Sequence, residues 1–267
     1  MLVTGAAGNI GSYFTEHAHE RYQLRLMVRP GDDVSQIEGK GQIVTGELSD
    51  LDFLKEACAG MCTVLHLAAD PSPEGVWDSM LENNIKGTYN LCVAAKAAHC
   101  RRVIYASSIH AVSGYPADVQ VKPTDPVNPG DLYGVTKCFG EALGRYMAEQ
   151  EGLSFIAVRI GGFQPLEFAE KPEGLGMMDA WVSRRDLHQL LCRCIDVDNV
   201  RWAVVHGLSD NRFKRLDISF ARELLGYAPV DDMTELNPKL KDLDLDETVQ
   251  SHSLADGNKS GLRAELI

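Results

Sequence analysis

Short apolar runs alternate with longer amphipathic stretches along most of this chain. The apolar runs have the length and residue types of buried strands, and they lie at residues 1–4, 23–28, 42–45, 63–67, 102–106, 154–159 and 201–206. Helical spacing of apolar residues appears between them, as at 91–98 and 139–147. This alternation predicts an α/β fold with a doubly wound parallel sheet and helices on both faces. Ligands then bind at the carboxyl ends of the strands.

Two long irregular stretches, 109–130 and 161–176, each follow a predicted strand. Long loops in compact domains are usually functional, so we interpret both as walls of a substrate cleft. The chain then forms a single domain, 1–267, with a core at 1–160 and 183–206. A small C-terminal substrate lobe takes its substrate-side segments from 109–130, 161–182 and 207–235. The sequence from Asp231 onward contains nine acidic and four basic residues. This polar composition predicts a loosely packed tail over 236–267.

Composition narrows the function to small-molecule chemistry. The 267 residues carry a formal charge of −12, which gives a nucleic-acid surface no electrostatic support. We expect no membrane segment, because no apolar run approaches the roughly 20 residues that span a bilayer. A signal peptide is not expected either, since a strand and a phosphate loop occupy the first residues. The seven cysteines show no zinc spacing, so we predict free thiols, a cytoplasmic location and no metal.

A glycine-spaced turn follows the first predicted strand and opens a helix. Gly5 permits the tight turn, Gly8 lets backbone amides approach a pyrophosphate, and Gly11 lets the helix pack on the strand. Asn9 and Ile10 complete the turn. The helix dipole adds attraction for phosphate, so the sequence predicts a dinucleotide site and a sheet of the Rossmann type.

The end of the second strand is expected to select the dinucleotide. An acid there would hold the ribose hydroxyls of NAD, whereas arginine suits the extra phosphate of NADP. Arg29 stands at this place and no acid follows until Asp32. The sequence therefore favours NADP over NAD. NAD stays possible, because Arg29 could instead be a solvated loop residue.

Proton-transfer chemistry is indicated near the middle of the chain. Tyr133 and Lys137 are four apart on a predicted helix and so share one face. A lysine ammonium at that distance is expected to lower the pKa of the tyrosine, so that it can act as acid or base. Ser107 and Ser108 end the fifth predicted strand and can place a hydroxyl in the same cleft. No metal is needed for this chemistry.

With these motifs the chain resembles the extended short-chain dehydrogenase/reductase family, also called the NAD-dependent epimerase/dehydratase family. The matching stretches are 4–8, 66–69, 84–91, 106–108, 133–137 and 225–229. The resemblance implies that Ser108 is the catalytic serine, Tyr133 the acid/base, and Lys137 the residue that holds the nicotinamide ribose. It further implies cofactor contacts at Glu47, Leu48, Leu67, Ala68, Ala69, Asn84 and Ile160.

Within this family the chain is similar to uronate dehydrogenases, which oxidise hexuronic acids with NAD. The likeness lies at 106–110, 132–141, 158–161 and 178–181. Departures fall on substrate contacts: Ile109 replaces an asparagine and Gly162 replaces a serine. Gly176 or one of its neighbours stands where those enzymes have the arginine that holds the carboxylate. Arg184 and Arg185 lie nearby, but with Asp186 they match the Arg-Asp pair that opens a helix in many relatives. We expect a substrate other than uronate, with candidate contacts at Ser72, Ser108, Ile109, His110 and Gly162.

The sequence thus predicts an NAD(P)-dependent oxidoreductase that moves a hydride between the nicotinamide and a hydroxyl or carbonyl. Its substrate would be small and polar, a sugar or a sugar acid. One alternative is a sugar-nucleotide epimerase, which needs a larger carboxyl-terminal lobe than this chain provides. Another is a regulator that senses NADP without catalysis, which would not need the tyrosine. Two predicted helices have faces rich in Ala and Leu. The family resemblance implies that such faces pair between two subunits, which predicts a homodimer.

Overall fold

The computed structural model describes residues 1–72 and 75–241, and a parallel sheet forms its centre. The strands are β1 (Leu2–Thr4), β2 (Arg25–Val28), β3 (Gln42–Thr45), β4 (Thr63–His66), β5 (Arg102–Ser108), β6 (Ser154–Ile160), β7 (Gly162–Gln164), β8 (Trp181–Ser183) and β9 (Trp202–Gly207). Seven of them pair in the order β3-β2-β1-β4-β5-β6-β9, all parallel. This confirms the predicted doubly wound fold.

Helices cover both faces of the sheet. They are α1 (Asn9–Ala18), α2 (Leu51–Cys58), α3 (Trp77–Met80), α4 (Gly87–Ala97), α5 (Leu132–Glu149), α6 (Leu166–Ala169), α7 (Arg184–Asp196), α8 (Ser219–Leu225), α9 (Met233–Leu236) and α10 (Pro238–Lys241). One buried cluster joins α1, α7 and α8 to the sheet, and a second joins α2, α4 and α5 to the opposite face. None of the helices in the described residues has the length and apolar character to span a membrane.

The order of the strands locates the ligand crevice. From β1 the chain moves outward to β2 and β3, then returns to place β4 on the other side of β1. Connections therefore diverge between β1 and β4, and a crevice opens at the carboxyl ends of these strands. The loop after β1 and the serines that end β5 both face this crevice. The predicted chemical groups thus share one edge of the sheet.

The stretch 161–176, predicted to be irregular, contains regular structure. Its first residues form β7, which pairs in parallel with β8 as a separate two-stranded sheet. A backbone bond from the Gly162 N–H to the Ala180 carbonyl, 2.8 Å long, starts this pairing. Trp181 is fully buried at the other side of the pair. Burial of this large side chain requires its backbone groups to be paired, which the short sheet achieves.

The prediction of a loosely packed tail is wrong for its first part. Within the predicted tail, residues 238–241 are helical, and Leu240 is buried in a cluster with Trp181, Ala169 and Met233. The Asn237 amide donates to the carbonyls of Ala169 and Lys171, both at 2.8 Å. This anchors the segment although its composition is polar. The rest of the predicted tail, 242–267, lies outside the described residues.

Candidate active site

The loop after β1 is shaped to receive phosphate. Gly5 has a φ of +68°, which glycine adopts readily, and the Gly8 N–H donates to the Gly5 carbonyl at 3.0 Å. A side chain at position 11 would place its Cβ 2.2 Å from the same carbonyl, so only glycine allows this approach. Within the described residues, the N-cap position of α1 is Gly8, which has no side chain to bond the amides of the first turn. Its amides and dipole are therefore available to an anion.

A cleft of about 630 Å³ runs from this loop to the Tyr133 region. Its walls come from the ends of several strands and from α5. Of the residues predicted to bind cofactor or catalyse, those that line it are Gly5, Gly8, Asn9, Ile10, Gly11, Arg29, Glu47, Leu48, Leu67, Ala68, Ala69, Ser108, Tyr133, Lys137 and Ile160. The volume lies within the range of small-molecule and cofactor sites.

Ser108 and Tyr133 meet through two adjoining elements. Ser108 ends β5 and its Oγ accepts the backbone N–H of His110 at 3.2 Å, which begins a 3₁₀ turn. Tyr133 lies in the first turn of α5, whose start is fixed because the Asp131 carboxylate accepts the Gly134 N–H at 2.7 Å. The Ser108 hydroxyl can also donate its own hydrogen, either to the Tyr133 oxygen or to a substrate oxygen bound between them.

Burial raises the pKa of Tyr133 to about 12, against the direction expected from its spacing to lysine. The cleft wall removes water from the phenol, and loss of water disfavours the phenolate. The Ser108 hydroxyl acts in the opposite direction, while Asp131 and Asp70 raise the pKa further. The expectation that Lys137 lowers this pKa is therefore wrong for the protein alone.

Lys137 is held one turn farther along α5. Its Nζ donates to the Ala106 carbonyl at 2.9 Å and lies 5.3 Å from the centre of the Tyr133 ring. The side chain is buried, and this burial lowers the pKa of Lys137 to about 7. At neutral pH it is therefore close to its titration midpoint. Its ammonium faces a carbonyl rather than the phenol, which explains its weak effect on the tyrosine.

A buried ion pair supports the site from below. Glu141, one further turn along α5, binds Arg159 of β6 through two hydrogen bonds of 2.8 Å. The same carboxylate accepts the Ser107 hydroxyl at 2.6 Å. The two charged side chains are only 6% and 2% exposed. One carboxylate thus joins α5, which carries Tyr133 and Lys137, to the strand that ends in Ser108.

Five predicted contacts lie outside the cleft wall: Asn84, Ser72, Ile109, His110 and Gly162. Asn84 is buried and joins the loop after β4 to α5, because its amide bonds both to Asp70 and to Thr136. A π-helical turn, Leu81–Lys86, directs Asn83 toward the cleft in its place. Asn84 is therefore a positioning residue in this structure.

The four predicted substrate residues outside the wall have other surroundings. Ser72 is exposed, and Ile109 packs beside the buried cluster of Val112, Val121, Leu208, Leu216 and Ile218. His110 binds the Asp131 carboxylate through Nδ1 and stands edge-on to the Tyr133 ring, 5.4 Å away. Gly162 faces Met177, whose sulfur is 2.7 Å from the place of an added Cβ. A larger residue at position 162 would have to displace that methionine.

Several cleft residues escaped the sequence analysis. They are Ala7, Met27, Val28, Asp32, Asp33, Pro71, Asn83, Ala106, Gly161 and Phe163, whereas Ser107, which also lines the cleft, was expected there. Asp32 could have been found from the Pro30-Gly31 turn, which reverses the chain just after β2. Asn83 had no signal, because a π-helical turn shifts the helical register without a recognisable sequence pattern.

The arginines near α7 do not enter this cleft. Arg184 begins α7, lies 5.9 Å from the Tyr13 ring and lines an adjoining surface depression, which shares Ala7 and Asn9 with the cleft. Arg185 pairs with Asp231, and Asp186 accepts the Ser209 hydroxyl at 2.6 Å. The Arg-Asp pair thus opens a helix, as the resemblance implied. An added Cβ at Gly176 would meet open space.

The sequence profile of the NAD dependent epimerase/dehydratase family matches residues 1–163. The chain belongs to this family. It is 34% identical to the NAD-dependent glucose-6-phosphate dehydrogenase of Haloferax volcanii, over 91% of this chain and 98% of that protein. The L-arabinose 1-dehydrogenase (NAD(P)(+)) of the same organism is 32% identical over 86% of this chain and 96% of that one.

Solved structures of the family agree with this placement. Uronate dehydrogenase from Agrobacterium tumefaciens, as a tyrosine-to-alanine mutant complexed with NAD, matches with a TM-score of 0.79. The sequences are 30% identical, and the match covers 94% of this chain and 90% of that one. The structural similarity therefore continues beyond residues 1–163, the part that the family profile matches.

Proposed function

We propose that the protein is a sugar dehydrogenase in which Tyr133 exchanges a proton with the substrate hydroxyl. The chain is an oxidoreductase of the extended short-chain type and uses NAD or NADP. The observation that carries the proposal is the convergence of Ser108, Tyr133 and Lys137 on the cleft that the phosphate loop also lines. Relatives named for sugar oxidation support a sugar substrate.

The residues of the cleft divide the chemistry between them. A bound nicotinamide dinucleotide would supply the hydride acceptor, and the phosphate loop with Ile160 and Leu67 would hold it. The Ser108 hydroxyl donates to the oxygen of the reacting carbon. The Tyr133 phenolate would remove the hydroxyl proton during oxidation, and the phenol would return it during reduction, the phenol proton exchanging with solvent between turnovers. Lys137 keeps its nitrogen against the Ala106 carbonyl and so fixes the position of the α5 face.

The charges of the cleft favour a neutral sugar as substrate. Among the described residues that line it, the cations are Arg29, beside β2, and Lys137, which is buried against Ala106. Neither stands free on the substrate side of Tyr133 to hold a carboxylate or a phosphate. An anionic substrate without such a partner would lose its strongest orienting contact. An aldose oxidised at its anomeric hydroxyl satisfies this site.

Turnover across a sugar panel tests this function. Purified protein would be mixed with NAD or NADP and with one of four sugars: L-arabinose, glucose, glucuronate or glucose 6-phosphate. Formation of the reduced cofactor would be followed by its absorbance. We expect oxidation of a neutral aldose with a kcat/KM at least about tenfold above that of the charged sugars. Cofactor binding without turnover of any sugar would indicate the regulator instead. Release of an epimerised sugar nucleotide with no net cofactor reduction would indicate the epimerase.

The preference between the two cofactors stays a prediction. Arg29 alone predicts NADP, and the two Haloferax relatives are named for NAD and for NAD(P). In the described structure Arg29 has two-thirds of its side chain exposed and pairs with Asp32. Its charge is thus already partly compensated.

A homodimer and a cytoplasmic location belong to the same proposal. Tyr89 of α4 and Tyr146 of α5 are each about half exposed on neighbouring helices, and Val135 is exposed on α5. Exposed apolar groups on adjacent helices are typical of a protein interface. All seven cysteines are free, which supports a reducing compartment.

A further inference from the structure

A tight turn after β2 brings an acid into the cleft. The Asp32 N–H donates to the Arg29 carbonyl at 3.2 Å, with Pro30 and Gly31 between them. Gly31 has a φ of +86°, and proline followed by a glycine with positive φ defines a type II turn. An added Cβ at Gly31 meets open space, so the backbone angle alone requires glycine there.

The turn places Asp32 against Arg29 at one end of the cleft. One Asp32 oxygen accepts the Arg29 N–H at 2.9 Å, and the other lies 3.2 Å from its guanidinium. Both residues line the cleft. In the sheet order, β2 lies on the opposite side of β1 from β5, which leads to Tyr133. This is therefore the adenosine end, where a Rossmann site reads the ribose.

The charges at this end are mainly negative. Asp33 and Glu47 also line the cleft, so three carboxylates and one guanidinium contribute to its lining after β2 and β3. The 2′-phosphate of NADP would add a charge of about −1.5 to −2. It would compete with the Asp32 carboxylate for the Arg29 guanidinium and would lie close to that negative charge. A ribose hydroxyl meets no such repulsion, because a carboxylate accepts its hydrogen directly.

We propose that Asp32, delivered by the Pro30-Gly31 turn, is the residue that selects NAD over NADP. It replaces the acid that is missing from the end of β2, and it occupies the arginine that would otherwise attract the 2′-phosphate. The inference rests on the proposed function, since it concerns the cofactor of the same cleft. It runs opposite to the preference expected from Arg29 alone.

Binding of NADH and NADPH to purified variants tests this assignment without any sugar substrate. Nicotinamide fluorescence would give a Kd for each cofactor. We expect the wild-type protein to bind NADH at least about tenfold more tightly than NADPH. In Asp32→Asn, NADH binding should weaken and NADPH binding should strengthen, each by about tenfold, because the acceptor is lost and Arg29 is released.

Two further variants separate selection from a general loss of charge. Glu38→Gln removes one negative charge in the same segment, at an exposed residue outside the cleft wall. The ratio of its Kd values for NADH and NADPH should stay within about twofold of the wild-type ratio. Arg29→Ala combined with Asp32→Asn should lose the gain in NADPH binding. A wild-type preference for NADPH, or an unchanged ratio in Asp32→Asn, would overturn the inference while leaving the proposed function intact. Failure to bind either cofactor would overturn both.

Discussion

At the residue scale, burial rather than charge pairing determines the protonation of the candidate site. Burial raises the pKa of Tyr133 to about 12 and lowers that of Lys137 to about 7. The sequence correctly predicted that both side chains share one helix face. It could not predict these pKa directions, because they depend on how deeply β5 and α5 enclose the two groups and on the carbonyl that Lys137 meets.

The buried lysine makes folding stability depend on pH. Between the folded pKa near 7 and the ordinary value of 10.5, the unfolded chain binds more protons at this site than the folded chain. The contribution of Lys137 to the free energy of unfolding should therefore rise with pH in this window, by up to about 1.4 kcal/mol per pH unit. Below pH 7 the lysine is protonated in both the folded and the unfolded chain, so it adds no further change of the free energy of unfolding with pH.

Urea unfolding at pH 7, 8 and 9 measures this effect. The stability of wild type relative to Lys137→Met should increase from pH 7 to pH 9. Lys55→Met provides the control, because Lys55 is nearly half exposed and pairs only with a surface aspartate. Parallel pH dependence of wild type and Lys137→Met would show that the lysine titrates normally in the folded protein.

At the element scale, α5 is the unit that assembles the site. Its face carries Tyr133, Lys137 and Glu141 at successive turns, and Glu141 fixes it to β5 and β6. The helix was partly visible in the sequence as apolar spacing over 139–147. The pairing of Glu141 with Arg159 was not, since contacts between distant segments leave no local pattern. The same reason explains why β7 was predicted to be irregular: it pairs with β8, which lies farther along the chain.

Loss of the Glu141 carboxylate should loosen this element. In Glu141→Ala the Arg159 charge stays buried without its partner, and we expect a destabilisation of about 3–5 kcal/mol. Glu149→Ala is the matched control on the same helix, because its pair with Arg145 is exposed and should contribute no more than about 1 kcal/mol. Denaturant unfolding of both variants gives the comparison. Equal small losses would argue against the supporting role of the buried pair.

At the scale of the whole molecule, the sheet was predictable and the lobe less so. All seven strands of the main sheet fall within two residues of their predicted ends, because parallel strands buried on both faces read as continuous apolar runs. Residues 236–241 were predicted to belong to the polar tail, but their two leucines, Leu236 and Leu240, pack in the cluster that contains Trp181. The polar composition of a segment does not show whether its few apolar side chains are buried against the rest of the protein.

The proposed dimer makes a prediction at this scale. Tyr89→Asp places a charge in the exposed apolar area of α4 and α5, where burial of an unpaired carboxylate is costly. Light scattering coupled to size exclusion should show a dimer for wild type and a monomer for the variant. Phe220→Asp, on α8 at the opposite face of the sheet, should leave the dimer intact. A monomeric wild type would contradict the assignment of this face.

The central claim is that the Tyr133 hydroxyl carries the proton of the reaction, and Tyr133→Phe tests it most directly. Aldose oxidation by this variant should fall at least about a thousandfold in kcat, while the Kd for NADH stays within about threefold of wild type. Tyr146→Phe, which removes an exposed hydroxyl from the same helix, should keep its rate. A Tyr133→Phe variant that turns over at the wild-type rate would contradict the account.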